Sequence, residues 1–413
     1  MTRAGPGRGA QGAAAASARP EAPGAASAGA VAGVRSLYLH IPFCERRCEY
    51  CDFVALAGRD REIEYANRLR AEIAGLAAGF AGVELDTVFV GGGTPGFMAP
   101  ELLAGLLQEV RAGFALAAGC EVTLEANPSS TTRARAESWL GAGFNRVSLG
   151  VQSLEPEILR FLGRVHDADR AVAAVAEVRR AGFSHVSCDL IYAVPGLTDE
   201  RWRATLERVI GLGPGHVSAY ELTVEPGTPL HARVLRGRSP AVDPEAALRQ
   251  HRIAVEVLQA SGHRQYEVSN YALPGEECRH NLVYWRNGHY LAAGLGAHGH
   301  LPAALASRLG LPEPPDAAVA VRYWHGRSLA AYLASPAGEV PVEGWEPVGA
   351  AAREVERVMV GLRLAEGIAP PAGGEGRAAP LLAAGLLWSR DGRVGATARG
   401  QEVLDEVIRQ LTG

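Results

Sequence analysis

Residues 36–51 read Ser-Leu-Tyr-Leu-His-Ile-Pro-Phe-Cys-Glu-Arg-Arg-Cys-Glu-Tyr-Cys. An apolar strand, Leu37 to Ile41, runs into a loop carrying Cys44, Cys48 and Cys51. Three thiols this close together can wrap one metal centre. Structural zinc takes four ligands, and with no fourth cysteine nearby it would borrow His40. A four-iron cluster on three cysteines would instead leave one iron open to another ligand. Cys48 and Cys51 alone would form a Cys-x-x-Cys dithiol. The spacing leaves these three readings open.

The pattern that follows is a strand–helix alternation. Ile63, Ala66, Leu69, Ile73 and Leu76 keep helical spacing after Asp60, a candidate cap. Thr87 to Val90 is a second strand, stopped by Gly91, Gly92 and Gly93, and Pro100 opens the next helix. Glu121 to Glu125, Arg146 to Gly150, Val186 to Ile191 and His216 to Thr223 continue the strands. Helices over 132–141, after Asp167 and over 199–210 alternate with them. Consecutive strand–helix units imply a parallel sheet with right-handed crossovers. Six are too few to close an eight-stranded barrel, so the predicted fold is α/β: an open three-quarter (β/α)6 TIM-like barrel, with a doubly wound sheet as the alternative. A long helix from Asp243-Pro244 to Ala260 and a strand over Tyr266 to Tyr271 follow.

Four regions are expected. Residues 1–34, almost entirely Ala, Gly, Pro, Ser and Arg, form a disordered low-complexity tail without the apolar core of a secretory signal. Residues 35–300 form the barrel domain. Residues 301–345 form an irregular Pro-rich connection. Residues 346–413 form a small α+β, winged-helix-like domain with a turn at Arg390-Asp391-Gly392 and a helix after Thr397. That unit is not basic and reads as a packing or partner domain.

The 413 residues are 47% hydrophobic and 21% charged, with a net charge of -4 and no block of like charges. This excludes the electrostatic footprint of a nucleic-acid partner. No uninterrupted apolar run reaches the ~18 residues of a membrane span. All 41 basic side chains are arginine, which excludes a Schiff-base lysine and a Walker A lysine. Cysteines clustered for metal or redox chemistry, without a secretory signal, point to the cytoplasm.

Functional residues of parallel barrels gather at the C-terminal ends of the strands. The cysteines follow the first strand and the glycine triplet, with Thr94-Pro95, follows the second. Glu125 ends the third, Gln152 follows the fourth, and Asp189 lies in the fifth. Each alone has an ordinary explanation, but all fall on one rim.

Tyr38-Leu-His40-Ile-Pro42-Phe43-Cys44-x3-Cys48-x-Tyr50-Cys51 resembles the opening of a radical S-adenosylmethionine (SAM) protein. More narrowly, it is similar to the branch holding the oxygen-independent coproporphyrinogen III oxidase and the heme chaperones. The resemblance runs over residues 36–300 and more loosely to the C-terminus, whose domain it likens to that of the oxidase. It implies a [4Fe-4S] cluster on Cys44, Cys48 and Cys51, with S-adenosylmethionine on the open iron. It also implies that Tyr38, Tyr50, Gly92, Gly93, Thr94, Glu125, Gln152, Arg164 and Asp189 line the nucleoside sites, Arg164 through Leu162-Gly163-Arg164-Val165-His166.

Two features incline the resemblance toward the chaperones. The oxidase carries a fourth cysteine two residues after the third, whereas Cys51 is followed by Asp52-Phe53. Cys278-Arg279-His280-Asn281-Leu282-Val283-Tyr284-Trp285 resembles the heme-associated segment of the chaperones. It implies His280 as axial ligand, with Asn281, Tyr284 and Trp285 beside the porphyrin. His289, His298 and His300 follow closely, and one of them is the alternative ligand; Gly294-Leu295-Gly296-Ala297-His298-Gly299 matches another segment of the branch. Gly96 and Ala193 depart from the pattern, standing for Ser and Gly. The implied partners are heme and a heme-accepting protein of the membrane-bound respiratory kind. A homodimer is compatible with the resemblance. The oxidase, which decarboxylates porphyrinogen propionates, is the alternative activity.

Overall fold

A computed structural model describes residues 33–371 and 373–413. The expected tail falls outside these residues except for Gly33 and Val34, and Val34 already belongs to the first strand. Six strands follow the predicted order: β1 Val34–Ile41, β2 Glu84–Gly92, β3 Ala115–Ala126, β4 Arg146–Gln152, β5 His185–Tyr192 and β6 His216–Glu221. They pair in parallel, β1 through β6, as a three-quarter barrel requires.

The connecting helices are α1 Glu62–Gly79, α2 Pro100–Gly113, α3 Arg133–Ala142, α4 Ala168–Arg180 and α5 Asp199–Ile210. Thr132, Asp167 and Thr198 cap α3, α4 and α5 by accepting a backbone N–H three residues on. Asp60 does not cap α1, whose N-cap is Arg61 with no side-chain bond. Leu37, Leu39 and Ile41 face the helices and are fully buried, while Ser36, Tyr38 and His40 alternate to the lumen. The long helix is α6, Pro244–Ala260, capped by Asp243. The strand expected over Tyr266 to Tyr271 is two short antiparallel strands, β7 Arg264–Gln265 and β8 Asn270–Ala272. α7, Arg279–Trp285, follows.

The connection expected over 301–345 is corrected. β9 His289–Ala293 pairs in parallel with the free side of β1. β10 His298–Pro302, β11 Ala318–His325 and β12 Val342–Gly349 then extend the sheet antiparallel. The sheet order is β12-β11-β10-β9-β1-β2-β3-β4-β5-β6-β8-β7. A domain boundary at residue 300 would therefore cut through the sheet. The prolines Pro312, Pro314 and Pro315 are confined to one loop before β11. In β11, Val321, Tyr323 and His325 are buried and alternate with Arg322 and Trp324, a period-two signal that the flanking prolines obscure.

The C-terminal unit consists of α8 Ala350–Gly361, α9 Glu375–Ala383, a hairpin of β13 Leu387–Arg390 with β14 Arg393–Ala396, and α10 Leu404–Thr412. It has its own core, including Val358, Leu362, Leu381, Val407 and Leu411.

Glu72 of α1 ties the sheet extension to the barrel. Fully buried, it accepts from Tyr332 Oη at 2.6 Å and Gly294 N at 3.2 Å, and its Oε1 lies 2.6 Å from His325 Nε2. Glu72→Ala would strand these groups, and loss of one partner of a buried polar set costs about 3–5 kcal/mol. Urea unfolding should show a loss of that size for Glu72→Ala and a smaller one for Glu72→Gln.

Candidate functional site: a cysteine loop over a polar barrel lumen

The cysteine loop is pinned at its start by main-chain bonds. Gly93 N donates to Ile41 O at 2.8 Å and Thr94 N to Phe43 O at 2.8 Å. This close approach explains the glycines. A Cβ on Gly92, whose φ is +114°, would meet the His40 ring at 2.5 Å, and one on Gly93 would meet the Pro42 backbone at 2.8 Å.

Side chains close the arrangement. Thr94 Oγ1 donates to Cys44 Sγ at 3.4 Å, and Asn127 Nδ2 donates to Thr94 Oγ1 at 2.9 Å. Arg164 donates to Asn127 Oδ1 at 2.5 Å, to Gly150 O at 2.9 Å and to Cys48 Sγ at 3.2 Å. A continuous chain of contacts thus runs from Cys44 to Cys48 across the ends of β2, β3 and β4. Gln152, beside Gly150, holds the left-handed region at φ 63°, a strained conformation that favours functional positions. Tyr50 packs against the barrel core within the field of Arg164. All three loop cysteines are free thiols, and burial pushes Cys44 up to about 11.

These residues fit a cluster. The thiols share one loop, and two of their sulfurs already receive hydrogen bonds. Arg164 Nε is buried with no partner among the described residues, so the rim keeps a donor for a further ligand. His40 does not supply a fourth zinc ligand: its Nδ1 pairs with Tyr38 Oη at 3.0 Å and its Nε2 with Val54 O at 2.9 Å.

Below the rim lies a cavity of about 330 Å³. Branched apolar side chains usually fill such a lumen. Here small hydroxyl residues line it and hold carboxylates. Asp189 accepts from Ser148 at 2.9 Å, Ser218 at 2.8 Å and Ser187 at 3.3 Å. Glu125 accepts from Gly92 N at 3.0 Å. Burial, with the Asp189 charge adding to it, pushes Glu125 up to about 8 despite that bond. Tyr38, Gly92, Glu125 and Asp189 line this one space. Sequence reasoning assigned no role to Asn127 or the three serines. Asn127 had a signal in its place two residues after Glu125.

The expected heme segment meets the same cavity from below, where His280, Asn281 and Tyr284 join its lining. α7 closes the N-terminal end of the barrel, with Glu121 accepting from Arg279 N and His280 N, both at 3.0 Å. His280 is fully buried; its Nδ1 pairs with Thr87 Oγ1 at 2.8 Å and its Nε2 with Tyr284 Oη at 2.9 Å. Both ring nitrogens are engaged, so the ring is a packed floor residue here. Asn281 donates to Tyr266 Oη at 3.2 Å, and the Trp285 carbonyl lies toward Gly361 of the C-terminal unit. His289 and His300 sit side by side, 4.7 Å between ring centroids, with His289 opposite Val34 at the start of β1. His298 is exposed at the other end of the sheet.

Glu125 makes stability depend on pH. Its folded pKa of about 8 exceeds the ordinary 4.5, so the folded state binds the extra proton and stability falls as pH rises between those values. Glu125→Gln removes that slope. Its unfolding free energy relative to wild type should climb from pH 5 to pH 8 and then level off in urea titrations.

Residues 38–209 match the Radical SAM superfamily. The chain is 40% identical over 385 residues to the heme chaperone HemW of Mycobacterium tuberculosis, covering 91% of this chain and 94% of that one. It is 40% identical over 268 residues to HemW of Escherichia coli, covering 64% of this chain and 69% of that one. Among solved structures, coproporphyrinogen III oxidase (HemN) from Escherichia coli superposes with a TM-score of 0.76 at 22% identity, covering 92% of this chain and 91% of that one. This last likeness concerns the fold. The chain belongs to the HemW family within the radical SAM superfamily.

Proposed function

We propose that this protein binds heme and hands it to an acceptor protein in the cytoplasm, and that it carries a [4Fe-4S] cluster and S-adenosylmethionine at the barrel rim. The observation that carries this reading is the near-full-length identity to HemW heme chaperones. The loop supports it: Cys51 is followed by Asp52 and Phe53, and Phe53 is 68% exposed at the cavity mouth. No helix among the described residues is long and apolar enough to cross a membrane, so contact with a membrane-bound acceptor would use a folded surface.

Cys44, Cys48 and Cys51 would hold the cluster. Thr94 and Arg164 would donate to its thiolates and favour their charged form. Tyr38, Gly92, Gly93 and Glu125 would receive the nucleoside, with Tyr50, Gln152, Arg164 and Asp189 completing the rim. Glu125, protonated near neutrality, would donate to a ligand where an ionised carboxylate would only accept. When bound, the cluster supplies one-electron chemistry; this chain's side chains position the ligands and limit water. Heme contact through His280 Nε2 would require it to leave Tyr284 Oη.

Anaerobic reconstitution with iron and sulfide, followed by hemin addition and gel filtration, tests the reading. The expected result is cluster absorbance together with a retained Soret band, loss of iron and sulfide in Cys48→Ser, and no conversion of coproporphyrinogen III with reductant and S-adenosylmethionine. Conversion to protoporphyrinogen would overturn the chaperone reading, and a cluster protein that retains no heme would contradict it.

A further inference from the structure

His298 stands on the lumen-facing side of the sheet where the barrel is left open. Tyr290 pairs with His300 in the antiparallel β9–β10 register, which sets His298 opposite Ala292, and Ala292 pairs with Tyr38. Alternate residues share a face, so His298 lies on the same face as Tyr38, two strands further out. Its ring stacks on Trp324 at 6.2 Å between centroids and 26° between planes.

The segments on either side of this pair rest on the residues just after Cys51. A Cβ on Gly296 would meet the Val54 side chain at 2.6 Å. Arg327, three residues after Trp324, donates to Asp52 O at 3.2 Å. Between Asp52 and Val54 is Phe53, largely exposed. Arg47 of the same loop donates to Cys51 O at 3.1 Å. Neither Arg327 nor Arg47 has a carboxylate partner among the described residues, and each donates to a carbonyl of the cysteine loop.

These features suit a flat apolar dianion with a metal centre. Heme needs a neutral imidazole, aromatic surface and cations for its propionates. Burial, and then the charges of His325 and Arg327, hold His298 below the ordinary imidazole pKa, and no hydrogen bond contributes. Its ring nitrogens are therefore free of hydrogen bonds among the described residues. The neighbouring candidates are not: His280 is bonded at both nitrogens, and His300 is held by Gly288 O and Arg353, each at 2.9 Å. The His289 ring lies at the opposite end of β1.

We infer that His298 is the axial ligand of the bound heme, on the sheet face it shares with Trp324 and beside the segment after Cys51 that carries Phe53, with Arg327 and Arg47 toward the propionates. The inference rests on the heme-binding reading above and assigns its site. Hemin titration of the full chain, read by Soret position and electron paramagnetic resonance (EPR), tests it. His298→Ala should raise the hemin Kd by about tenfold or more and abolish the histidine-ligated spectrum, and added imidazole should restore it. Arg327→Gln should weaken binding without moving the Soret band, and His280→Gln should leave the spectrum as in wild type. A wild-type spectrum in His298→Ala would overturn the inference and leave the heme reading standing. Loss of heme without rescue by imidazole would also overturn His298 as ligand. Wild-type protein that retains no hemin would overturn the heme reading itself.

Discussion

Arg164 donates at once to the Cys48 sulfur, the Asn127 side chain and the Gly150 carbonyl, and the position of the cysteine loop follows from that fork. Charge-assisted bonds of this kind are stronger and more directional than neutral ones. To main-chain bonds near the loop's start and at Glu49, which donates to Leu162 O and accepts from Leu230 N, the Arg164 bonds add a side-chain hold on the sulfur. With them, Cys44 and Cys48 are referred to the ends of β2, β3 and β4. A planar guanidinium does this where a point charge would not.

The lumen is organised by the opposite choice, small side chains in place of large. Ser148, Ser187 and Ser218 occupy inward positions on neighbouring strands and converge on Asp189. They leave room for a cavity and satisfy a buried carboxylate, which is costly without such partners. His216 continues the network, pairing with Ser187 at 2.7 Å and with Tyr266 at 2.9 Å. α7 seals the floor through Glu121, Thr87 and His280. The chamber is polar at floor and rim, and its mouth opens beside the exposed Phe53.

Much of this was legible in the sequence because the rim collects the residues that break strand patterns. The cysteines, the glycine triplet, Glu125, Gln152 and Asp189 each interrupt or end an apolar run; Gly92, Glu125 and Asp189 line one cavity, and Cys44 is bonded to Thr94 beside it. Arg164 has no such signature and came only from the resemblance to a known family. The serines were invisible, since Ser in a strand reads as filler until its cross-strand partner is known. β9 was missed because it is five residues long, and β10 to β12 because prolines flanked them. His280, expected as a heme ligand, has its Nε2 engaged for a local reason: Tyr284 lies one helical turn away, the spacing at which two side chains meet. That pairing occupies the nitrogen that iron would need.

Heme beside the cysteine loop would put the cluster and the heme iron on one rim. The most direct test is the EPR relaxation of the bound heme in reconstituted protein, with the cluster reduced or removed by Cys48→Ser. Proximity predicts that the reduced, paramagnetic cluster speeds heme relaxation and that the effect vanishes with the cluster. Heme relaxation that is the same with and without the cluster would contradict the shared rim.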